Sequence, residues 1–119
     1  MRIKTGVTTH KRHKKVLAMT KGHRASRHSL YRRAHESMLH ALSHAYNHRR
    51  ERKGDMRRLW IARINAASRA QGLTYGQFIN GLNKSDIAIN RKQLADMAIR
   101  EPNCFNELVK KAQTAIQAS

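Results

Sequence analysis

The chain has 119 residues, the length of one ordinary domain or of a small domain with a tail. Its 25 lysines and arginines exceed its 7 aspartates and glutamates, giving a formal net charge of +18 that favours a polyanionic partner. The single cysteine, Cys104, excludes an internal disulfide, and the absence of an apolar run of roughly 18 residues excludes an integral membrane protein.

The charge is concentrated at the start of the chain. Residues 1–58 carry 17 lysines and arginines but only three acids, whereas residues 59–119 carry eight and four. All 8 histidines also lie before residue 50. We interpret the first half as an interaction segment and the second half as a globular domain, joined by continuous helix around residues 56–70.

Residues 1–24 lack a sustained hydrophobic period, and Gly22 is a helix breaker. The sequence predicts that this stretch is extended, and disordered in the free protein. From about residue 26 to residue 53, apolar side chains recur every four residues, which predicts a long helix with a kink at Gly54 or Asp55. The stripe consists of Leu30, Ala34, Met38, Leu42 and Tyr46.

The rest of the sequence carries the start and stop signals of four short helices. The first, over residues 57–71, is predicted to end at Gly72, a residue suited to a left-handed cap. The predicted N-terminal signals are Thr74 with Gln77, Asn90 with Gln93, and Pro102. The sequence therefore predicts an all-α fold, with a long basic N-terminal extension over residues 1–57 and a compact globular helical domain over residues 58–119.

The sequence gives no support for an enzyme. It contains no glycine-rich phosphate loop, no Cys-x-x-Cys pair and no Gly-x-Ser-x-Gly elbow. Cys104 follows a proline that starts a helix, which favours a structural or incidental cysteine over a nucleophile. We predict no catalytic residue, no cofactor and no small-molecule substrate.

Histidines at four-residue steps raise a metal hypothesis. Glu36, His40, His44 and His48 share one face of the predicted helix, and pairs at this spacing can hold a divalent ion. No cysteine or second carboxylate completes such a site, so a polar face against phosphate or solvent is favoured. A metal-dependent hydrolase stays the minor alternative, and we predict no metal site.

Dense basic clusters are the strongest functional signal. They lie at residues 10–15, 24–33, 49–53 and 57–58, and no acid balances them before Glu36. Lysine and arginine release counterions from a polyanion, and arginine adds forked hydrogen bonds to phosphate. Charge alone leaves DNA and RNA open, but the scarcity of aromatic residues favours contact with a structured backbone.

Three strings of the sequence carry a resemblance to a known family. They are RHKKVL (Arg12 to Leu17), RRLWIARINAASR (Arg57 to Arg69) and YGQFINGLNKSDIAINRKQLADMA (Tyr75 to Ala98). In order and spacing they closely resemble the bacterial large-subunit ribosomal protein L-twenty family, whose relatives also occur in organelles. The resemblance covers nearly the whole chain.

The resemblance implies a structural constituent of the large ribosomal subunit. Family members bind the large-subunit (23S-type) rRNA directly and are needed for early subunit assembly, not for peptide-bond chemistry. Neighbouring large-subunit proteins are implied partners, and some members repress translation of their own mRNA. The location implied is the ribosome in the bacterial cytoplasm. An organelle stays the alternative, although the match begins within the first few residues and leaves no room for a transit peptide.

Each residue expected to contact rRNA, from the basic clusters or from the family pattern, has a cationic, aromatic or amide side chain. Trp60 has two interpretations, and partial burial in the core is favoured over stacking on a base. The full set is Lys4, Lys11, Arg12, His13, Lys14, Lys15, Lys21, Arg24, Arg27, Tyr31, Arg32, Arg33, Arg49, Arg50, Arg52, Lys53, Arg57, Arg58, Trp60, Arg63 and Asn65.

One segment departs from the family pattern. Members usually have an aromatic residue and a glycine after the Lys-Gly step, whereas this chain has His23, Arg24 and Ala25 there. The alternative function is a DNA-compacting basic protein, which would bind duplex DNA as well as rRNA. A membrane-active cationic helix is disfavoured because the apolar stripe is narrow and rich in alanine.

Overall fold

The computed structural model describes Lys4 and residues 6–118, and all the regular structure among them is helical. Helix α1 spans Gly6–Met19, and a short 3-10 helix follows at Ala25–His28. Helix α2 spans Tyr31–Ala70. The remaining helices are α3 (Tyr75–Lys84), α4 (Arg91–Arg100) and α5 (Pro102–Gln117). The all-α prediction is confirmed.

Helix α1 corrects the prediction that residues 1–24 are extended. The prediction is wrong over Gly6–Met19, and residues 1–3 and 5 lie outside the described residues. Half of the 14 residues of α1 are lysine, arginine, leucine, alanine or methionine, which are good helix formers, and Val16 is buried with 8% of its surface exposed. Thr20 ends the helix, where its Oγ1 donates to the backbone oxygens of Val16 and Leu17, each at 3.3 Å.

Helix α2 corrects the prediction of two separate helices over residues 26–53 and 57–71. The helix begins at Tyr31 and continues through Gly54 to Ala70. A glycine inside a helix costs only about 1 kcal/mol relative to alanine, and good helix formers flank this one. Nothing lies within 4 Å of the position that a Gly54 Cβ would occupy, so no close packing contact requires a glycine there.

The contacts divide the chain within α2 into a first unit, Met1–Glu51, and a second unit, Arg52–Ser119. The buried residues described in the first unit are Val16, Thr20 and Ala34. Its predicted apolar stripe is covered only in part, because Ala34 is buried and Met38 half-buried, whereas Leu42 and Tyr46 are 57% and 52% exposed. The first unit therefore gains little stability from buried apolar surface.

The second unit holds the hydrophobic core. The Phe78 and Phe105 rings meet at its centre, with centroids 5.2 Å apart and planes tilted by 46°. Trp60 and Tyr75 are half-buried against it. The buried members are Ile64, Phe78, Leu82, Leu94, Ala95, Phe105, Val109 and Ala112. These residues come from α2, α3, α4 and α5, so all four helices depend on one core.

The predicted N-terminal signals in this unit are confirmed. The Gln77 amide donates to Thr74 Oγ1 at 3.4 Å, and the Thr74 amide donates to Gln77 Oε1 at 3.0 Å, forming a capping box. The Gln93 amide donates to Asn90 Oδ1 at 2.9 Å. Pro102 is the first residue of α5, where its missing N–H leaves no hydrogen bond unmade.

Gly72 ends α2 in the left-handed conformation that the sequence predicts, with φ of +84°. Its amide donates to the Arg69 oxygen, and the Leu73 amide donates to the Ser68 oxygen, both at 3.0 Å. This pair of bonds is a Schellman cap. We expect Gly72→Ala to lower the free energy of unfolding by about 1 kcal/mol, because a Cβ is strained at positive φ.

Urea unfolding of the full chain, followed by the fluorescence of Trp60, measures this loss. Gly54→Ala is the matched control, because Gly54 lies inside α2 without a positive φ and with open space around it. The control should raise the free energy of unfolding by up to about 1 kcal/mol. Equal effects of the two substitutions would contradict the assignment of Gly72 as a cap.

Candidate nucleic-acid interface

The predicted basic contacts of the first unit are directed at solvent. Every lysine and arginine among them is exposed, which leaves their cationic groups accessible to a polyanion. They are Lys4, Lys11, Arg12, Lys14, Lys15, Lys21, Arg24, Arg27, Arg32, Arg33, Arg49 and Arg50. The contact between Arg33 and Glu36 is a long 3.9 Å between exposed groups, so Glu36 neutralises little of the Arg33 charge.

His13 and Tyr31 are brought together by the fold of the first unit. Their rings stack with centroids 3.7 Å apart and planes 24° from parallel, and both residues are half-buried. A second contact nearby joins His23 Nδ1 to Ser37 Oγ at 2.7 Å. These contacts connect α1 and the turn after it to the first part of α2. The faces of His13 and Tyr31 that meet each other are therefore engaged in the fold.

The second unit contains a basic groove around Trp60. Two adjoining cavities, of about 490 and 600 Å³, share Trp60, Asn90 and Lys92 in their lining. We call this surface the Trp60 groove. Its cationic lining residues are Lys53, Arg57, Arg63, Arg91, Lys92 and Arg100. Asp96 also lines it, and this carboxylate pairs with Arg100 at 3.0 Å.

The groove brings predicted contacts from α2 together with residues that the sequence analysis missed. Asn90, Arg91 and Lys92 lie at the start of α4 and were read only for the helix cap that Asn90 supplies. The missed signal was two consecutive cations directly after an N-cap, where the helix dipole also favours an anion. Arg91 is partly committed to the fold, since its Nε donates to the Tyr75 hydroxyl at 2.7 Å.

The other predicted cationic contacts in the second unit are exposed, and Arg58 is held in an ion pair. Arg52, Arg57 and Arg63 are exposed on α2. Arg58 is also exposed, but its guanidinium donates to Asp55 Oδ1 at 2.7 Å. This pair occupies one side of the Arg58 guanidinium.

Asn65 has an intramolecular role that its predicted RNA contact did not anticipate. It is half-buried, and its Oδ1 accepts from Arg69 Nε at 3.2 Å and from the Tyr75 amide at 3.4 Å. The side chain thereby connects the end of α2 to the start of α3. Trp60 is also half-buried against the core, as the favoured reading of the sequence predicts, while lining the groove.

The histidines at four-residue steps stack along α2. The ring centroids of His40 and His44 are 6.4 Å apart, and those of His44 and His48 are 5.8 Å apart. Within the part of the chain that the structure describes, no three histidine, cysteine, aspartate or glutamate side chains are placed to hold a metal ion together. The geometry gives no support to the metal-dependent hydrolase.

Comparison with known proteins decides the family. A family profile described as "Ribosomal protein L20" matches residues 2–108. The chain belongs to the ribosomal protein L20 family. A relative named "Large ribosomal subunit protein bL20" in Dehalococcoides mccartyi strain BAV1 is 66% identical over 114 residues, which cover 96% of each chain.

Further L20 relatives cover the chain almost completely. One with the same printed name in Chloroflexus aurantiacus strain J-10-fl is 51% identical over 117 residues, covering 98% of each chain. Another in Moorella thermoacetica is 53% identical over 108 residues, covering 91% of this chain and 89% of the relative. These matches confirm the family resemblance, and this L20 chain is a ribosomal protein rather than an enzyme.

The turn between α1 and α2 contains a strained residue. Ala25 has a φ of +57°, which lies in the left-handed region. This conformation costs an L-residue about 1–2 kcal/mol. The preceding Gly22 has φ of +88°, so it adopts a similar conformation without a Cβ.

None of the helices within residues 6–118 combines the length and the apolar character needed to cross a membrane. The longest of them, α2, carries arginines along much of its sequence.

Proposed function

We propose that this L20 chain is a structural constituent of the large ribosomal subunit that binds 23S-type rRNA directly. The observation that carries the proposal is the exposure of the basic residues of the first unit, with few acids near them. The names of the bacterial relatives, which place those proteins in the large ribosomal subunit, support the same function. The bacterial cytoplasm is the location that follows.

The chemistry of the exposed residues favours contacts to the RNA backbone. Lysine and arginine bind phosphate through charge and hydrogen bonds, whereas base stacking needs accessible aromatic faces. Tyr31 and Trp60 are half-buried, and the exposed Tyr46 has the Arg50 guanidinium 5.0 Å from its ring centroid. Phosphate contacts therefore dominate the proposed interface, and structured RNA, whose backbone is dense in phosphate, is the proposed ligand.

The role proposed for this binding is early assembly of the large subunit rather than peptide-bond formation. A protein with a net charge of +18 can neutralise phosphates that would otherwise repel one another as rRNA segments fold together. Neighbouring large-subunit proteins are proposed partners. Repression of translation of its own mRNA is a further proposed role. An mRNA whose structure resembles the rRNA binding site would bind the same lysines and arginines.

Sedimentation and crosslinking in a bacterial extract test the proposed function. We expect the chain to sediment with the large subunit in a sucrose gradient and to crosslink to large-subunit rRNA, with sites confined to that RNA. Crosslinked peptides should come from the exposed basic residues of α1 and α2. Recovery away from ribosomes, with DNA or scattered RNA attached, would favour the DNA-compacting alternative instead.

A further inference from the structure

Three histidines of the first unit form an exposed surface on α2. Phosphate binding by lysine and arginine gives these histidines no role. His40, His44 and His48, which we call the histidine ladder, are all exposed and share one face of α2. Their stacked rings lie 5.8–6.4 Å apart, close to the rise of about 6 Å that four helical residues give. The ladder thus presents three imidazoles in a row to solvent.

Cations lie at the His40 end of the ladder. A cavity of about 320 Å³ is lined by Arg27, Arg33, Glu36, Ser37 and His40. Arg27 comes from the segment before α2 and the other residues come from α2 itself, where Glu36 is the acidic group. His23 is a titratable neighbour of this cavity through its bond to Ser37 Oγ, and at the other end of the ladder Glu51 and Arg52 follow His48 within α2. The cavity therefore combines two guanidinium groups with one carboxylate at the start of the ladder.

Imidazole changes its charge between about pH 5 and pH 8. Three imidazolium groups about 6 Å apart repel one another, and the arginines beside His40 add to this repulsion. A row of phosphates removes the cost, because each anion favours the charged form of an imidazole near it. A charged imidazole also has two N–H donors for phosphate oxygens, whereas a neutral one has a single donor.

We propose that the histidine ladder binds phosphates of the RNA backbone and takes up protons from solvent as it does so. The inference rests on the proposed function, since it requires RNA to be the ligand. It adds a contact surface at His40, His44 and His48 and makes the affinity for RNA depend on pH. The proposed surface begins at Arg27 and Arg33 beside His40, and these arginines bind phosphates of the same RNA strand as the ladder.

Binding of the full chain to purified bacterial large-subunit rRNA tests this proposal. The dissociation constant is measured at about pH 6 and about pH 8 at constant ionic strength, for the unmodified chain and two triple variants. One variant carries His40→Gln, His44→Gln and His48→Gln, which removes the titrating groups. The other carries His40→Arg, His44→Arg and His48→Arg, which fixes the positive charge.

The unmodified chain should bind the rRNA more tightly at pH 6 than at pH 8. Each proton taken up on binding increases the affinity by at most about tenfold for each unit that the pH falls. The glutamine variant should lose at least about tenfold of this gain, and the arginine variant should bind at pH 8 about as tightly as the unmodified chain does at pH 6. Calorimetry in two buffers of different ionisation enthalpy counts the protons directly. Circular dichroism confirms that the variants keep their helices.

The outcomes distinguish failure of the histidine ladder from failure of the proposed function. An identical pH dependence in all three proteins would overturn the histidine ladder as a phosphate contact and leave RNA binding intact. Failure of the unmodified chain to bind the rRNA at either pH would overturn both the ladder and the proposed function.

Discussion

Replacing Arg57, Arg63 and Lys92 with glutamine should weaken binding of the full chain to large-subunit rRNA by about 100-fold at about 0.1 M salt. All three side chains line the Trp60 groove and are exposed. Each phosphate that a cation neutralises contributes roughly 0.7–0.9 to the slope of the logarithm of affinity against the logarithm of salt concentration. The slope should therefore fall by about 2 to 3.

Filter binding over a range of salt concentrations measures both quantities. The control replaces Lys84, Lys110 and Lys111 with glutamine, which removes the same charge from exposed residues that line neither cavity of the groove. We expect the control to keep nearly the full salt slope. Equal losses of slope in the two triple variants would mean that net charge, and not the groove, sets the affinity.

The groove also shows why the sequence could reveal only part of the proposed interface. Arg57 and Arg63 were predicted contacts because they belong to a basic string with a family pattern. Lys92 was missed because it approaches Trp60 only after α2 and α4 pack on the common core. A contact between residues so far apart in sequence depends on tertiary structure, which local charge patterns do not encode.

Local signals were the most reliable guide to the fold. The caps at Thr74 and Asn90 and the left-handed Gly72 involve partners only a few residues away, so the sequence contains both halves of each interaction. Helix α1 was missed for the opposite reason. Its sequence has no clear apolar period, and contacts such as the stack of His13 on Tyr31 come from another helix.

A glycine by itself does not predict whether a helix ends. Gly54 lies between the two helices that the sequence predicted, yet α2 continues through it. Gly72 was expected to end a helix and does so, because two backbone hydrogen bonds and a positive φ make use of its missing Cβ. The residue type is the same in both places, and the hydrogen bonds available around it decide the outcome.

Gly81→Ala should destabilise the second unit by about 3 kcal/mol, near the upper end of overpacking effects. Gly81 is buried in α3 and faces Ala112 of α5. A Cβ at Gly81 would lie 2.6 Å from the Ala112 oxygen, 2.7 Å from its Cβ and 2.8 Å from its Cα. Two of these atoms belong to the backbone, so the clash is relieved only if the helices move apart.

Thermal and urea unfolding of the full chain, followed by Trp60 fluorescence, measure this effect. A loss of about 3 kcal/mol corresponds to a fall in Tm of roughly 15 °C for a unit of this size. Gly76→Ala is the control in the same helix, because nothing lies within 4 Å of its Cβ position. The control should leave stability unchanged or raise it slightly, since alanine is the better helix former.

A double variant identifies which atoms cause the loss. Ala112→Gly removes the Cβ of the partner residue but leaves its oxygen and Cα in place. Combining it with Gly81→Ala should therefore recover only part of the lost stability. Full recovery would show that the two helices meet through side-chain atoms and can tolerate a Cβ on either one. No loss in Gly81→Ala alone would contradict the close approach of α3 and α5, on which the shared core depends.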